Sequence, residues 1–202
     1  MRILIYGGTF DPPTSAHLSM ITAVARKQNY MDLILVAPTN SPYYKGKQMF
    51  TFEQRCEMLQ IMLQLIAGIC TGGSLDSYTP MKLWTGDEGG AFYETMMKIR
   101  KEYGQNDYYF LIGADSYYDL PNWKNAKDLM RVATPVVMPR QLSGFHAEFL
   151  DESICPGSSS NVREELSNGN FDNVLRPFVP LIEKYLKPSV NIDKIKPEES
   201  NV

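Results

Sequence analysis

Arg2-Ile3-Leu4-Ile5-Tyr6-Gly7-Gly8-Thr9-Phe10-Asp11-Pro12-Pro13-Thr14-Ser15-Ala16-His17 is the stretch whose reading decides the fold. Its opening is short, apolar and rich in β-formers, which predicts a buried strand. Leu18, Ile21, Val24 and Ala25 then recur at helical spacing, with Thr14 or Ser15 placed to cap the helix. The order is strand, glycine turn, helix, and His17 falls in the helix's first turn. Paired glycines let backbone approach a ligand closely, and the free N–H groups at the positive end of a helix favour an anion. The His17 imidazole would stand at that anion's edge as a hydrogen-bond donor. Neither the Gly-x-Gly-x-x-Gly spacing nor a Walker loop is present. On these residues alone, a phosphate site and an ordinary strand–turn–helix are equally open.

The 202 residues suffice for one well-buried α/β domain. No apolar run reaches the roughly 18 residues of a membrane span. The chain opens directly into a strand, without a basic leader or apolar signal core. A net charge of -3 argues against a partner nucleic acid held by a basic surface. Cys56, Cys70 and Cys155 are scattered, and with only His17 and His146 besides them a structural metal site is not expected. A reduced, cytoplasmic enzyme is the natural setting. A homo-oligomer is neither indicated nor excluded.

Leu33–Ala37 reads as a second strand, stopped by Pro38. Lys45 and Lys47 lie in the following loop, either as phosphate contacts beyond a strand's carboxyl end or as solvated lysines. Thr51-Phe52-Glu53-Gln54 is a capping box. The helix it opens places Phe52, Cys56, Leu59, Met62, Leu63 and Ile66 on a core face, with Arg55 pointing elsewhere as a candidate structural residue and Cys56 packing rather than reacting. Gly72 to Gly90 reads as one long loop. A helix follows from Phe92 to about Tyr103, then a strand from Asp107 to Ile112. That strand ends in Gly113-Ala114-Asp115, which suits a ribose as well as it suits a helix cap. Further strands are expected at Ala133–Met138 and Phe149–Ile154. Gly157-Ser158-Ser159-Ser160-Asn161-Val162-Arg163 opens a helix stopping near Gly169, with Ser160 as its N-cap and Arg163 in its first turn. A helix closes the domain at Val179–Leu186, and residues 187–202 read as a loose tail. The domain expected is thus 1–186.

Several of these segments carry a family resemblance. Gly8-Thr9-Phe10-Asp11-Pro12 with Thr14-Ser15-Ala16-His17 resembles the nucleotidyltransferase signature Gly-x-Phe-Asp-Pro and His-x-Gly-His. Thr14 replaces the first histidine and Ala16 the glycine. Phe92-Tyr93-Glu94-Thr95 resembles a Trp-x-Glu-Thr element, and Lys45 matches the lysine of an acceptor loop. Gly113-Ala114-Asp115 followed by Leu120-Pro121-Asn122-Trp123-Lys124 is similar to Gly-x-Asp followed by Leu-Pro-x-Trp-Lys. Ser159, Ser160, Val162 and Arg163 fall in step with Ile-Ser-Ser-Thr-x-Ile-Arg. Together they resemble the nicotinate or nicotinamide mononucleotide adenylyltransferases.

The resemblance implies a single Rossmann-like, doubly wound, mostly parallel α/β domain that joins ATP to a pyridine mononucleotide. It implies His17 and Arg163 as the catalytic pair. Gly8, Thr9, Phe10, Thr14, Gly113, Asp115, Ser159 and Ser160 would complete the ATP site, and Lys45, Phe92, Thr95 and Trp123 would seat the acceptor. Magnesium would arrive with ATP, because no carboxylate cluster suggests a dedicated metal cage. The rival readings are a sibling enzyme acting on phosphopantetheine or an alcohol phosphate, and a nucleotide sensor without catalysis. Acid and amide acceptors are not distinguished.

Overall fold

The computed structural model describes residues 1–27, 29–41, 48–71, 78–138 and 157–186. Its centre is a five-stranded parallel sheet in the order β3-β2-β1-β4-β5. The strands are β1 (Arg2–Gly8), β2 (Leu33–Pro38), β3 (Met81–Leu83), β4 (Asp107–Gly113) and β5 (Thr134–Met138). Helices α1 (Ser15–Ala25), α2 (Phe52–Thr71), α3 (Phe92–Tyr103), α4 (Ala114–Asp119), α5 (Ala126–Val132), α6 (Ser159–Ser167) and α7 (Val179–Leu186) connect and cover it.

Near-continuous apolar runs in the central strands follow from burial on both faces. Leu4, Tyr6, Ile34, Val36 and Leu111 share one core with residues of α1, α2, α6 and α7. Ile3, Ile5, Leu33, Leu35 and Phe110 share the other with residues of α3 and α5. This is the expected Rossmann-like arrangement. Strand order reverses between β1 and β4, and a doubly wound sheet opens its ligand crevice at the carboxyl ends of the strands there. Gly8 and Gly113 stand at those two ends.

Two expectations are corrected by the structure. The Gly72–Gly90 segment is not one loop, because Met81–Leu83 pairs in parallel with Ile34–Val36 as β3. The buried stripe of α2 is also turned from the expected one. Arg55, Met58, Leu59, Met62, Leu63 and Ile66 are buried, whereas Phe52 and Cys56 are half-buried. The capping box is present, with Thr51 N donating to Gln54 Oε1 at 2.9 Å and Gln54 N donating to Thr51 Oγ1 at 3.3 Å. Burial pushes the Cys56 thiol above its ordinary range, which suits a packing residue and not a nucleophile. No helix among the described residues is long and apolar enough to cross a membrane. The expected strand at Phe149–Ile154 and the tail at 187–202 lie outside the described residues, as do Lys45, His146 and Cys155.

Candidate active site

The crevice is built first by the turn after β1. Gly7 is required there because a Cβ on it would come within 2.4 Å of the Phe92 ring. Phe10 adopts a left-handed φ of 51°, which costs a non-glycine residue about 1–2 kcal/mol. The strain goes with a buried ring edge-on to His17, with centroids 5.0 Å apart. Thr14 is the N-cap of α1 and His17 its third residue. The Thr14 N–H donates to His17 Nδ1 at 2.9 Å. An N–H can meet only a lone pair, so the neutral ring carries its proton on Nε2.

Thr14, expected at the phosphates, also faces His17. Its side chain is buried, and Oγ1 lies 2.9 Å from His17 Nδ1. It orients the imidazole from behind. Thr9 is buried too, yet its Oγ1 has no hydrogen-bond partner among the described residues.

The second wall comes from the far end of the chain. Gly157 sits so close to α1 that a Cβ would lie 2.9 Å from Ser15 Oγ. This brings the N-terminus of α6, with its positive dipole end, beside that of α1. Ser158, not Ser160, is the N-cap, and its side chain accepts from Ser160 N at 3.2 Å. Ser159 Oγ donates to the Pro12 carbonyl at 2.8 Å, so this hydroxyl fastens α6 to the turn. Arg163 donates to the Asp11 carbonyl at 2.6 Å and to Ser160 Oγ at 3.1 Å. It also lies 3.8 Å from the Asp11 carboxylate while remaining one-third exposed. Asp11, part of the signature but given no role by the sequence, accepts from Met49 N at 3.0 Å and Phe50 N at 2.9 Å.

On the other side of the crevice Phe92 packs between Phe110 and Trp123, at centroid distances of 5.7 and 6.1 Å. Trp123 is half-buried and meets Phe92 edge-on at 79°. The two rings implied to seat the acceptor thus lie against each other. Thr95 is buried, and its hydroxyl donates to Asp87 Oδ1 at 2.7 Å. It therefore anchors a neighbouring loop, and no proton of that hydroxyl is left for a ligand. Lys124 pairs with Glu94 at 2.9 Å. That bond first, and the Ala91 N–H second, hold the Glu94 carboxyl below the usual range. Gly113 is the N-cap of α4, and Asp115 is exposed in its first turn. Among the described residues no group of three or more His, Cys, Asp or Glu is arranged to hold a metal ion.

The cytidylyltransferase-like family matches residues 5–165, which makes this Rossmann-like chain a nucleotidyltransferase. A relative from Bacillus licheniformis, named "Probable nicotinate-nucleotide adenylyltransferase", is 31% identical over 187 residues, covering 87% of this chain and 91% of its own. One of the same name from Listeria monocytogenes is 36% identical, covering 70% of this chain and 71% of its own. The chain belongs to the nicotinate-nucleotide adenylyltransferase family within that class. Its fold is also that of the Plasmodium falciparum nicotinic acid mononucleotide adenylyltransferase solved in complex with NaAD. The TM-score is 0.69 at 20% identity, with 91% of this chain and 95% of that one covered.

Proposed function

We propose that this chain transfers the adenylyl group of ATP to nicotinate mononucleotide, forming the dinucleotide and releasing pyrophosphate. The observation that carries the reading is the meeting of two helix N-termini, His17 and Arg163 at the carboxyl end of β1. That is a polyphosphate site, and family membership names its chemistry.

No protein nucleophile is needed. A phosphate oxygen of the acceptor attacks the α-phosphorus in line, and the bond to the bridging oxygen of pyrophosphate breaks. Catalysis is then positioning plus stabilisation of growing charge. His17 Nε2–H donates to the α-phosphate as that charge develops. Arg163, the Ser160 hydroxyl and the first N–H groups of α6 hold the β- and γ-phosphates. The N–H groups of Gly8, Thr9 and Phe10 line the same corner, and the unpartnered Thr9 hydroxyl is available to a substrate oxygen. Gly113 and Asp115 take the adenosine side. Magnesium enters bound to ATP, as part of the substrate. The reaction requires no nucleic acid, and its setting is the cytoplasm.

Pyrophosphate release from magnesium and ATP, measured with each pyridine mononucleotide in turn, tests the reading. Turnover is expected with nicotinate mononucleotide in preference to the amide. Release with neither mononucleotide would leave a nucleotide-binding domain without this activity. On the acceptor side, Trp123→Ala is expected to weaken mononucleotide binding by about 1–3 kcal/mol, the scale of base–aromatic stacking, while sparing ATP. Calorimetric titration with each substrate checks this, and equal losses for both would make Trp123 a packing residue.

A further inference from the structure

Arg55 is almost wholly buried, at 1% exposure, yet every hydrogen bond it makes among the described residues is to a main-chain carbonyl near the crevice. One terminal nitrogen donates to the Thr9 carbonyl at 2.5 Å and to the Thr39 carbonyl at 2.8 Å. The other donates to the Asn40 carbonyl at 3.0 Å, and Nε to that of Phe50 at 3.3 Å. Thr9 belongs to the phosphate turn, and Thr39 and Asn40 follow β2. The same Asn40 peptide is held from its other side, because its N–H donates to Asp87 Oδ2 at 2.8 Å. Asp87 is 4% exposed and also takes the Gly89 N–H at 3.1 Å and the Thr95 hydroxyl at 2.7 Å. Thr95 is one turn along α3 from Phe92.

A continuous hydrogen-bonded chain thus runs Thr9, Arg55, Asn40, Asp87, Thr95, from the ATP side of the crevice to the acceptor side. We infer that Arg55 and Asp87 are positioning residues for the transfer, clamping the Asn40 peptide between them so that the two substrate sites stay in register. A buried charge kept only for stability is a poor investment, since burial disfavours it and an apolar residue of like volume serves as well or better. A guanidinium fork bonded to several carbonyls fixes their separation, which a single ammonium does not. In-line transfer is sensitive to that separation, because a displacement of about 1 Å costs on the order of 10² in rate.

The inference rests on the adenylyl-transfer reading, and its test separates the two. Wild type, R55K, D87N and the double variant are compared for kcat, for KM of each substrate and for melting temperature, with T95V as a milder break in the same chain. Each charged-site variant is expected to lose about 10–100-fold in kcat, with either KM moving less than about threefold. The double variant should be about as slow as the worse single one, since a clamp is lost only once. T95V should lose less, without a fall in melting temperature that tracks the rate. The clamp is overturned by near-normal kcat in R55K or D87N, by losses that multiply in the double variant, or by a rise in KM alone. If a charged-site variant does not fold, T95V decides: unchanged kcat overturns the clamp and a selective fall supports it. An inert wild type overturns both readings, whereas an active wild type with unaffected variants overturns only the clamp.

Discussion

His17→Ala is expected to lower kcat by about 10²–10³, the effect of removing one preorganised donor to a developing oxyanion, or roughly 2.7–4 kcal/mol. The size follows from how firmly the donor is aimed. Nδ1 is fixed by the Thr14 N–H at 2.9 Å, and the ring face is fixed by the edge-on Phe10. Both of these constraints are in place before charge builds on the α-phosphate. The stability cost should be near 1 kcal/mol, since what the fold loses is one acceptor at the start of a helix. Steady-state kinetics beside thermal melts check both halves. Near-normal kcat in a folded variant would mean that the α-phosphate is stabilised by other groups.

Asp11→Ala is expected to cost substantially in stability. Its carboxylate is the acceptor for the N–H groups of Met49 and Phe50 at 3.0 and 2.9 Å, and it is 4% exposed. Removing it strands two donors, at about 1–3 kcal/mol each, so a total of roughly 2–6 kcal/mol is expected. Activity should fall with it, because Arg163 loses its carboxylate neighbour at 3.8 Å. Asp11→Asn keeps one carbonyl oxygen and should lose less. Urea denaturation of the two variants provides the test, and a loss under about 1 kcal/mol for alanine would show that water replaces the carboxylate.

The parts of this molecule that were legible in the sequence are the ones specified locally. A strand, a glycine turn and a capped helix are written in consecutive residues, and so is the Ser158-Ser159-Ser160 opening of α6. The cap itself moved by two positions, from Ser160 to Ser158, which is the usual uncertainty where several hydroxyls adjoin. What escaped was specified at long range. Arg55 sits within an amphipathic helix, where a charge is read as facing water, and its acceptors Thr9, Thr39 and Asn40 lie in other segments. Asp87 falls in Thr85-Gly86-Asp87-Glu88-Gly89-Gly90, a composition that reads as a solvated turn. Only the fold shows its carboxylate buried beneath Asn40. Strand β3 escaped because three residues between Pro80 and Trp84 are too few to show alternation. The resemblance puts Thr14 at the ATP and Thr95 at the acceptor. Their hydroxyls nevertheless turn to His17 and Asp87, a distinction that only the bond geometry makes.

The contact of α6 with the turn after β1 has a consequence for the order in which the molecule is made. Ser159 reaches Pro12 across 147 residues and Arg163 reaches Asp11 across 152. During synthesis, therefore, the strands of the sheet can leave the ribosome while the α6 wall of the crevice is still unmade. The loop-closure entropy of joining segments so far apart grows only slowly with length, but it must be met before either bond can form. On the proposed function, a nucleotide that touches both walls acts as a clasp between the first tenth of the chain and its last quarter. Because it binds only the closed form, each increment of its concentration above the dissociation constant shifts the population toward the finished molecule.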